Sequence, residues 1–429
     1  MLKYKNPILR DTFIYTLTDS IGKGVGFLLL PLVSFYVSPS ELGIATNFSV
    51  LTSILSLLGG LAVVNALPYF YYEQTHEQNK RLVSNLLLIC LTLCLGLALV
   101  DFALHSVVFD YLKLDISLQW YAILCVTCTL INGASFQLLR LQEKSYWFAG
   151  IQIIHIILHC CLVFIFVVWL EWGGRGKVYA DTGAAILLVG LHLYLMYRQG
   201  FLSFCTDKVY IKKLLMFGVP LLPHAMSFWL KSGLDKIFIT QYGGGLYQNG
   251  LYSMAMTLMS IYSLFSVGFF RAYNPGLQKR LANITIENEN KEKRKIVRTT
   301  YLCIGFFVLL ALFTVFTSWF ILYFIVDDKY EESFKFVPWL VAGLLVHSIY
   351  SFSIEFIYKM KKTAVLGAIT FIGSIIQMLL AYYFIRLYGV IGAAYSSLVG
   401  TIIISMALFL YSRKIYPMPW FSFFNKHER

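Results

Sequence analysis

The chain has 429 residues, 58% of them hydrophobic and only 13% charged. Soluble domains carry about 25% charged residues, so this composition excludes an ordinary soluble domain and points to a polytopic membrane protein. The formal net charge of +13 reads as basic loops on one side of a membrane, with no nucleic acid as partner.

Hydropathy, broken at Gly, Pro and charged clusters, predicts twelve spans. In the first half they cover 12–37, 41–68, 82–109, 116–139, 146–170 and 178–198. In the second half they cover 214–240, 246–271, 297–325, 333–358, 364–386 and 390–412. The basic N-terminus MLKYKNPILRD leads into the first span with no small-residue cleavage site, so that run is expected to be retained.

Taken in order, the spans contain a few polar exceptions. The first, TFIYTLTDSIGKGVGFLLLP, carries Asp19 and Lys23. A charge near the bilayer centre costs roughly 2.5–3.5 kcal/mol on insertion scales, so neither residue is neutral ornament. Asp101 and His105 lie toward the outer end of the third span and are expected to face water. Cys125 and Cys128 form a CxxC in the fourth span, but no second pair accompanies them, and buried Cys reads as a small hydrophobe.

His155 and His159 share one face of the fifth span. With no carboxylate placed to complete a metal set, they read as packing histidines, and no metal site is expected. EWGGRGKVYAD is read as a polar turn before the sixth span, which holds Asp181 and His192. In the seventh span, Pro220 and Pro223 around GVPLLPHAMSFW can bend the helix and are gating candidates. The same span carries Lys231, Asp235 and Lys236. The loop NITIENENKEKRKIVR is expected as a solvated helical extension, and Glu355 near the inner end of the tenth span is expected to snorkel.

Basic residues then sort by side. Lys80, Arg81, Arg140, Lys144, Arg198, Lys208, Lys212 and Lys213 fall on the face of the N-terminus, together with the run from Arg271 to Arg298. The opposite face holds Lys113, Arg175, Lys177, Lys329, Lys335 and Arg386. The positive-inside rule therefore predicts both termini in the cytoplasm.

The halves repeat. YVSPSELGIATNFSV aligns with YGGGLYQNGLYSMAM, placing Gly43 opposite Gly250, with Pro68 and Pro275 closing the span at equal distance. Gly150 aligns with Gly367, Gly176 with Gly392 and Tyr179 with Tyr395, in collinear order. The expected organisation is a six-helix lobe over 1–198, a linker over 199–213, a second six-helix lobe over 214–412 and a tail over 413–429. Such parallel repeats about the membrane normal are transporter architecture, with a substrate site at the repeat interface.

Each lead helix thus carries a Lys–Asp pair at a spacing of four, in reversed order. Two readings stay open. The charges pair across the bundle and fix packing, or they line a hydrated cavity in which Lys23, Lys231 and Lys236 outnumber Asp19 and Asp235 and favour an anionic ligand.

SELGIATNFSV, the segment QNGLYSMAMTLMSIYSLFSVGFFRAYNPGLQKR, LDKIFI and the last-span opening YGVIGAAYSSLVG resemble the multidrug/oligosaccharidyl-lipid/polysaccharide exporter superfamily, specifically its Wzx-type polysaccharide flippases. The resemblance implies an all-α, MATE-like membrane protein of two six-helix lobes working by alternating access. It implies transport of an undecaprenyl-diphosphate-linked oligosaccharide to the outer leaflet of the bacterial inner membrane. The partners it implies are that substrate, membrane lipid, and functional association with glycosyltransferases and a polymerase. It names no cofactor and leaves a proton or sodium gradient open. The cavity lysines match the family's habit of cationic linings rather than a fixed motif. A multidrug and toxin exporter is the alternative. A lipid II flippase typically has two more spans than this chain, and no P-loop, Ser/His/Asp set or paired catalytic carboxylates supports an enzyme.

Overall fold

A backbone without water must bond to itself, so apolar segments of this length wind as helices. The computed structural model describes residues 7–203, 206–285 and 288–420, and every regular element among them is helical. Eleven helices are long and apolar enough to cross a membrane, and a bent pair supplies a twelfth. The all-α, twelve-span reading of the hydropathy holds. The chain divides into two compact units, Met1–Ser253 and Met254–Arg429.

In the first unit, α1 (Pro7–Leu28) and α2 (Leu30–Tyr36) form the first span. The second span, α3 (Pro39–Gly60), starts at a capping box in which the Ser38 amide donates to the Glu41 carboxylate at 2.8 Å. It is shorter than the expected 41–68. Leu61 and Ala62 take left-handed backbone angles and turn the chain out of the helix after Gly60. The third, α4 (His76–Leu112), begins at a Thr75–Gln78 capping box and reaches 37 residues, about 55 Å, well beyond the expected 82–109. Then come α5 (Ile116–Leu141), α6 (Ser145–Val163) and α7 (Gly173–Arg198).

The segment expected as a polar turn is mostly helix. A π-helical stretch, Phe164–Trp169, finishes the fifth span and α7 begins at Gly173. Glycine explains the tight join: a methyl on Gly173 would overlap the Glu41 carboxylate, and one on Gly174 would overlap the Glu41 carbonyl.

The seventh span is broken. It runs as α8 (Lys208–Gly218), a 3₁₀ turn at Val219–Leu221, α9 (Leu222–Ser232) and α10 (Leu234–Tyr242). Its two parts meet at 41°. Pro220 and Pro223 sit at the break, where each removes a backbone donor. The eighth span is α11 (Gly245–Leu258) followed by α12 (Ser260–Ala282), and α11 crosses from the first unit into the second. Helix α12 continues through Pro275, which was expected to close the span.

The second unit continues with α13 (Glu289–Phe324), which confirms the helical extension, then α14 (Val337–Lys359), α15 (Thr363–Tyr388) and α16 (Ile391–Ile415). Glycines let these helices close up: Gly373 faces Ile404, and Gly400 faces the Gln377 side chain. After α16 the chain folds back, placing Met418 and Trp420 in a core with Leu277, Leu281, Ile296, Val297 and Phe356.

One helix start outside the spans responds to pH. Asp115 caps α5 by accepting from the Leu118 amide at 3.0 Å, and it also meets Ser117 and Arg175. Partial burial pushes its pKa up, but the Leu118 amide, the Ser117 hydroxyl and Arg175 outweigh that and hold it below its ordinary value. A depressed carboxylate stabilises the fold above the unfolded pKa of about 3.9 and loses that contribution as pH falls through the folded value. Asp115→Ala should therefore cost about 1 kcal/mol at neutral pH, mostly from the cap, since the exposed ion pair adds little. The difference from the parent should shrink as pH falls below the ordinary carboxylate range, which detergent-solubilised thermal melts at pH 7 and in acid will read.

Candidate functional site

The first unit holds an open-sided cavity of about 430 Å³ bordered by α1, α5, α6 and α7. Its polar lining is Thr129, Asn132, Gln152, His155, His159 and Asp181. Helix α1 passes the cavity at Gly22, where an added methyl would lie 3.1 Å from the Gln152 amide nitrogen. Asp181 is the charge centre. One carboxylate oxygen lies 2.7 Å from His159 Nε2, and the other accepts from Lys177 Nζ at 3.2 Å. The three side chains are 24–28% exposed, so the cluster meets the cavity rather than being sealed off. The Asn132 amide donates to the Ala185 carbonyl, while its own carbonyl oxygen is enclosed without a partner.

A carboxylate bonded to an imidazole and an ammonium places charged groups against a cavity inside an apolar bundle, where such groups are costly and mark functional sites. His192, about three turns further along α7, lies 2.7 Å from the Ser135 hydroxyl and packs edge-on against Phe136, 4.6 Å between ring centres.

His159 meets a carboxylate that the sequence reading did not place beside it, Asp181 on the neighbouring helix, while among the described residues no group of three metal-ligating side chains forms. The readable signal was Lys177 to Asp181 at i, i+4, obscured by reading the start of that helix, with Lys177, as a turn. Two further expectations fail. Asp101 is only 5% exposed rather than facing water, although His105 is exposed. Glu355 is buried and takes a 2.6 Å hydrogen bond from Gln278 instead of snorkelling.

The residues singled out in the lead helices distribute differently. Asp19 and Lys23 are on α1, and their side chains lie outside the described residues. Lys231 ends α9 and Asp235 opens α10, with Gly233 between the two helices. They form no ion pair with each other. Asp235 is buried and accepts from the Lys236 amide at 2.8 Å and the Tyr252 hydroxyl at 3.4 Å. Lys231 and Lys236 are half-buried.

Just beyond them, the repeat becomes physical contact. A methyl on Gly43 would overlap the Leu246 carbonyl, and one on Gly250 would overlap the Pro39 carbonyl. Gly43 aligns with Gly250, and at that offset Pro39 aligns with Leu246, so the contact is reciprocal in the manner of a two-fold interface. Thr46 donates to Ser253 at 2.8 Å across the same offset of 207 residues. Below this crossing the Asn47 amide donates to the Leu112 carbonyl at 2.7 Å, and Asn249 donates to Asn47 at 2.7 Å. Thr240 accepts from both amides at 3.1 Å and donates to the Lys236 carbonyl at 2.9 Å. Buried side-chain networks this well connected define a single arrangement.

Comparison with known proteins agrees with this architecture. The fold matches a MATE family multidrug transporter of the MOP superfamily in an inward-facing conformation, with TM-score 0.68 and 15% identity over 92% of this chain and 94% of that one. It also matches the lipid II flippase MurJ in an inward closed conformation, with TM-score 0.73 and 16% identity over 94% of this chain and 87% of that one. In sequence, a protein of the Lsg locus of Haemophilus influenzae is 22% identical over 95% of this chain and 98% of its own length. The structural likenesses establish the MATE-like fold. With the profile described as "Polysaccharide biosynthesis protein" matching residues 8–279, the chain belongs to that family.

Proposed function

We propose that this chain is a Wzx-type flippase. It moves an undecaprenyl-diphosphate-linked oligosaccharide from the cytoplasmic to the outer leaflet of the bacterial inner membrane by alternating access. It performs no covalent chemistry, and it hands its cargo from glycosyltransferases on one face to a polymerase on the other. Both termini are cytoplasmic in this reading, as the basic loops suggest. The family membership supports the polysaccharide setting. The observation that carries the anionic cargo is the seventh span, where Lys231 and Lys236 flank one buried carboxylate at the junction of α9 and α10. An ammonium kept in an apolar span without a carboxylate bonded to it suits a diphosphate that arrives from outside.

We further infer that a proton gradient drives turnover through the His159–Asp181–Lys177 cluster, which sits in the first unit's cavity.

The test is complementation. Deleting the gene should abolish surface polysaccharide and accumulate lipid-linked oligosaccharide on the inner leaflet, and plasmid expression should restore both. Lys231→Gln should remove most transport while leaving the melting midpoint near the parent's, because no carboxylate is orphaned by the change. Lys231→Arg should keep partial activity. A deletion strain with normal surface polysaccharide but new sensitivity to cationic dyes would replace this reading with a multidrug exporter.

A further inference from the structure

An apolar groove of about 420 Å³ runs along the second unit between α13, α14 and α16. Ile304, Ile349, Ile402 and Met406 form its walls. Two of its hydroxyls are turned back onto their own helices: Thr300 donates to the Ile296 carbonyl at 3.0 Å and Ser405 to the Thr401 carbonyl at 2.6 Å. With Ser353 and Tyr350 the other polar side chains beside Tyr301, the lining is mostly carbon and suits a hydrocarbon chain better than a sugar.

The groove has a built end. Trp420 closes it, and the Tyr301 hydroxyl donates to the Trp420 carbonyl at 2.7 Å. The Trp420 ring lies 6.0 Å from Phe356 and 5.9 Å from Phe409. The strap leading to Trp420 is fastened by buried Lys293, which donates to the Pro417 carbonyl at 2.9 Å and pairs with Glu289 at 2.7 Å. At this end the surroundings turn basic. Arg298 is three residues before Tyr301 and Arg413 four after Phe409, so both stand about one helical turn from the lining, and both are exposed. Along the length the groove is open sideways, with Ile349 at 37% exposed, Ile402 at 45% and Met406 at 59%.

We propose that this groove binds one acyl chain of an anionic phospholipid, with the phosphate set against Arg298 and Arg413. The volume suits a single acyl chain and is far too small for a complete polyprenyl chain, which separates this site from the cargo of the transport cycle. The lipid enters from the bilayer, and its chain lies in the groove along these three helices. The proposal does not depend on the flippase reading.

Native mass spectrometry of the full chain, equilibrated with equal amounts of phosphatidylglycerol and phosphatidylcholine of matched chains, tests it. One phosphatidylglycerol should be retained in preference. Met406→Trp fills the groove from its exposed side and should abolish retention. The pair Arg298→Gln and Arg413→Gln leaves the groove intact and should weaken phosphatidylglycerol by about tenfold or more, the order expected for two arginines beside an anionic lipid. That pair also decides the matter if Met406→Trp fails to fold. Equal retention of the two lipids, or unchanged retention in the arginine pair, would overturn the proposal. So would displacement by an equimolar polyprenyl phosphate, or binding that appears only after residues 421–429 are removed, since each assigns the groove to another occupant.

Discussion

A disulfide between Thr46→Cys and Ser253→Cys should stop transport, and reduction should restore it. The two hydroxyl oxygens are 2.8 Å apart at the crossing of α3 and α11, so the two side chains point at each other at the short range a disulfide needs. The neighbouring glycines already bring the backbones into van der Waals contact, so the helices cannot approach further and can only separate. The proposed alternating-access cycle would require that separation once per turnover, because the crossing joins equivalent positions of the two repeats. The native hydrogen bond is weak enough to open, with a net worth of about 1 kcal/mol. A disulfide is not. The measurement is surface polysaccharide formation after oxidant and after reductant, in a background lacking the eight native cysteines. Each single-cysteine variant should remain active under the same oxidant. A fully cross-linked protein that transports at the parental rate would show that this crossing stays shut throughout the cycle.

Asp181→Asn should reduce transport to background while leaving a folded protein. Asparagine keeps the shape and can still meet His159, but it cannot carry the charge that exchanges with the imidazole and the ammonium. If the cluster served packing alone, the result would differ. Removing one member of a buried ion pair costs about 3–5 kcal/mol, and the quarter exposure of this cluster puts the cost at the lower end. The variant would then be unstable, and joint replacement of Lys177 by Met and Asp181 by Leu would recover both stability and transport. Coupling adds a second readout. A protonophore should halt transport by the parent, whereas downhill exchange of substrate in Asp181→Asn vesicles should be indifferent to it. Normal protonophore-sensitive transport by Asp181→Asn would remove the cluster from energy coupling.

The sequence by itself determined what depends on local free energy. Transfer of apolar segments out of water sets the number and rough extent of the spans, and twelve were legible. Proline chemistry located the break at Pro220 and Pro223 before any coordinates, because the missing donors act on their own helix. The repeat was also legible, down to the pairing of Gly43 with Gly250. What only the tertiary structure decided is that these equivalent glycines touch, each against the other repeat's backbone. It decided that Asp181 reaches across to His159, that Asp101 is enclosed, and that Glu355 finds Gln278. It also showed that Lys231 and Asp235, four residues apart, do not pair. Hydropathy fixes that a helix lies in the membrane, but it is nearly blind to rotation about the helix axis and to sliding along it. A polar residue changes from lipid-facing to buried with a rotation of one or two residues. That rotation is chosen by side-chain packing between helices distant in the chain, where glycine contacts and cross-helix hydrogen bonds set the register.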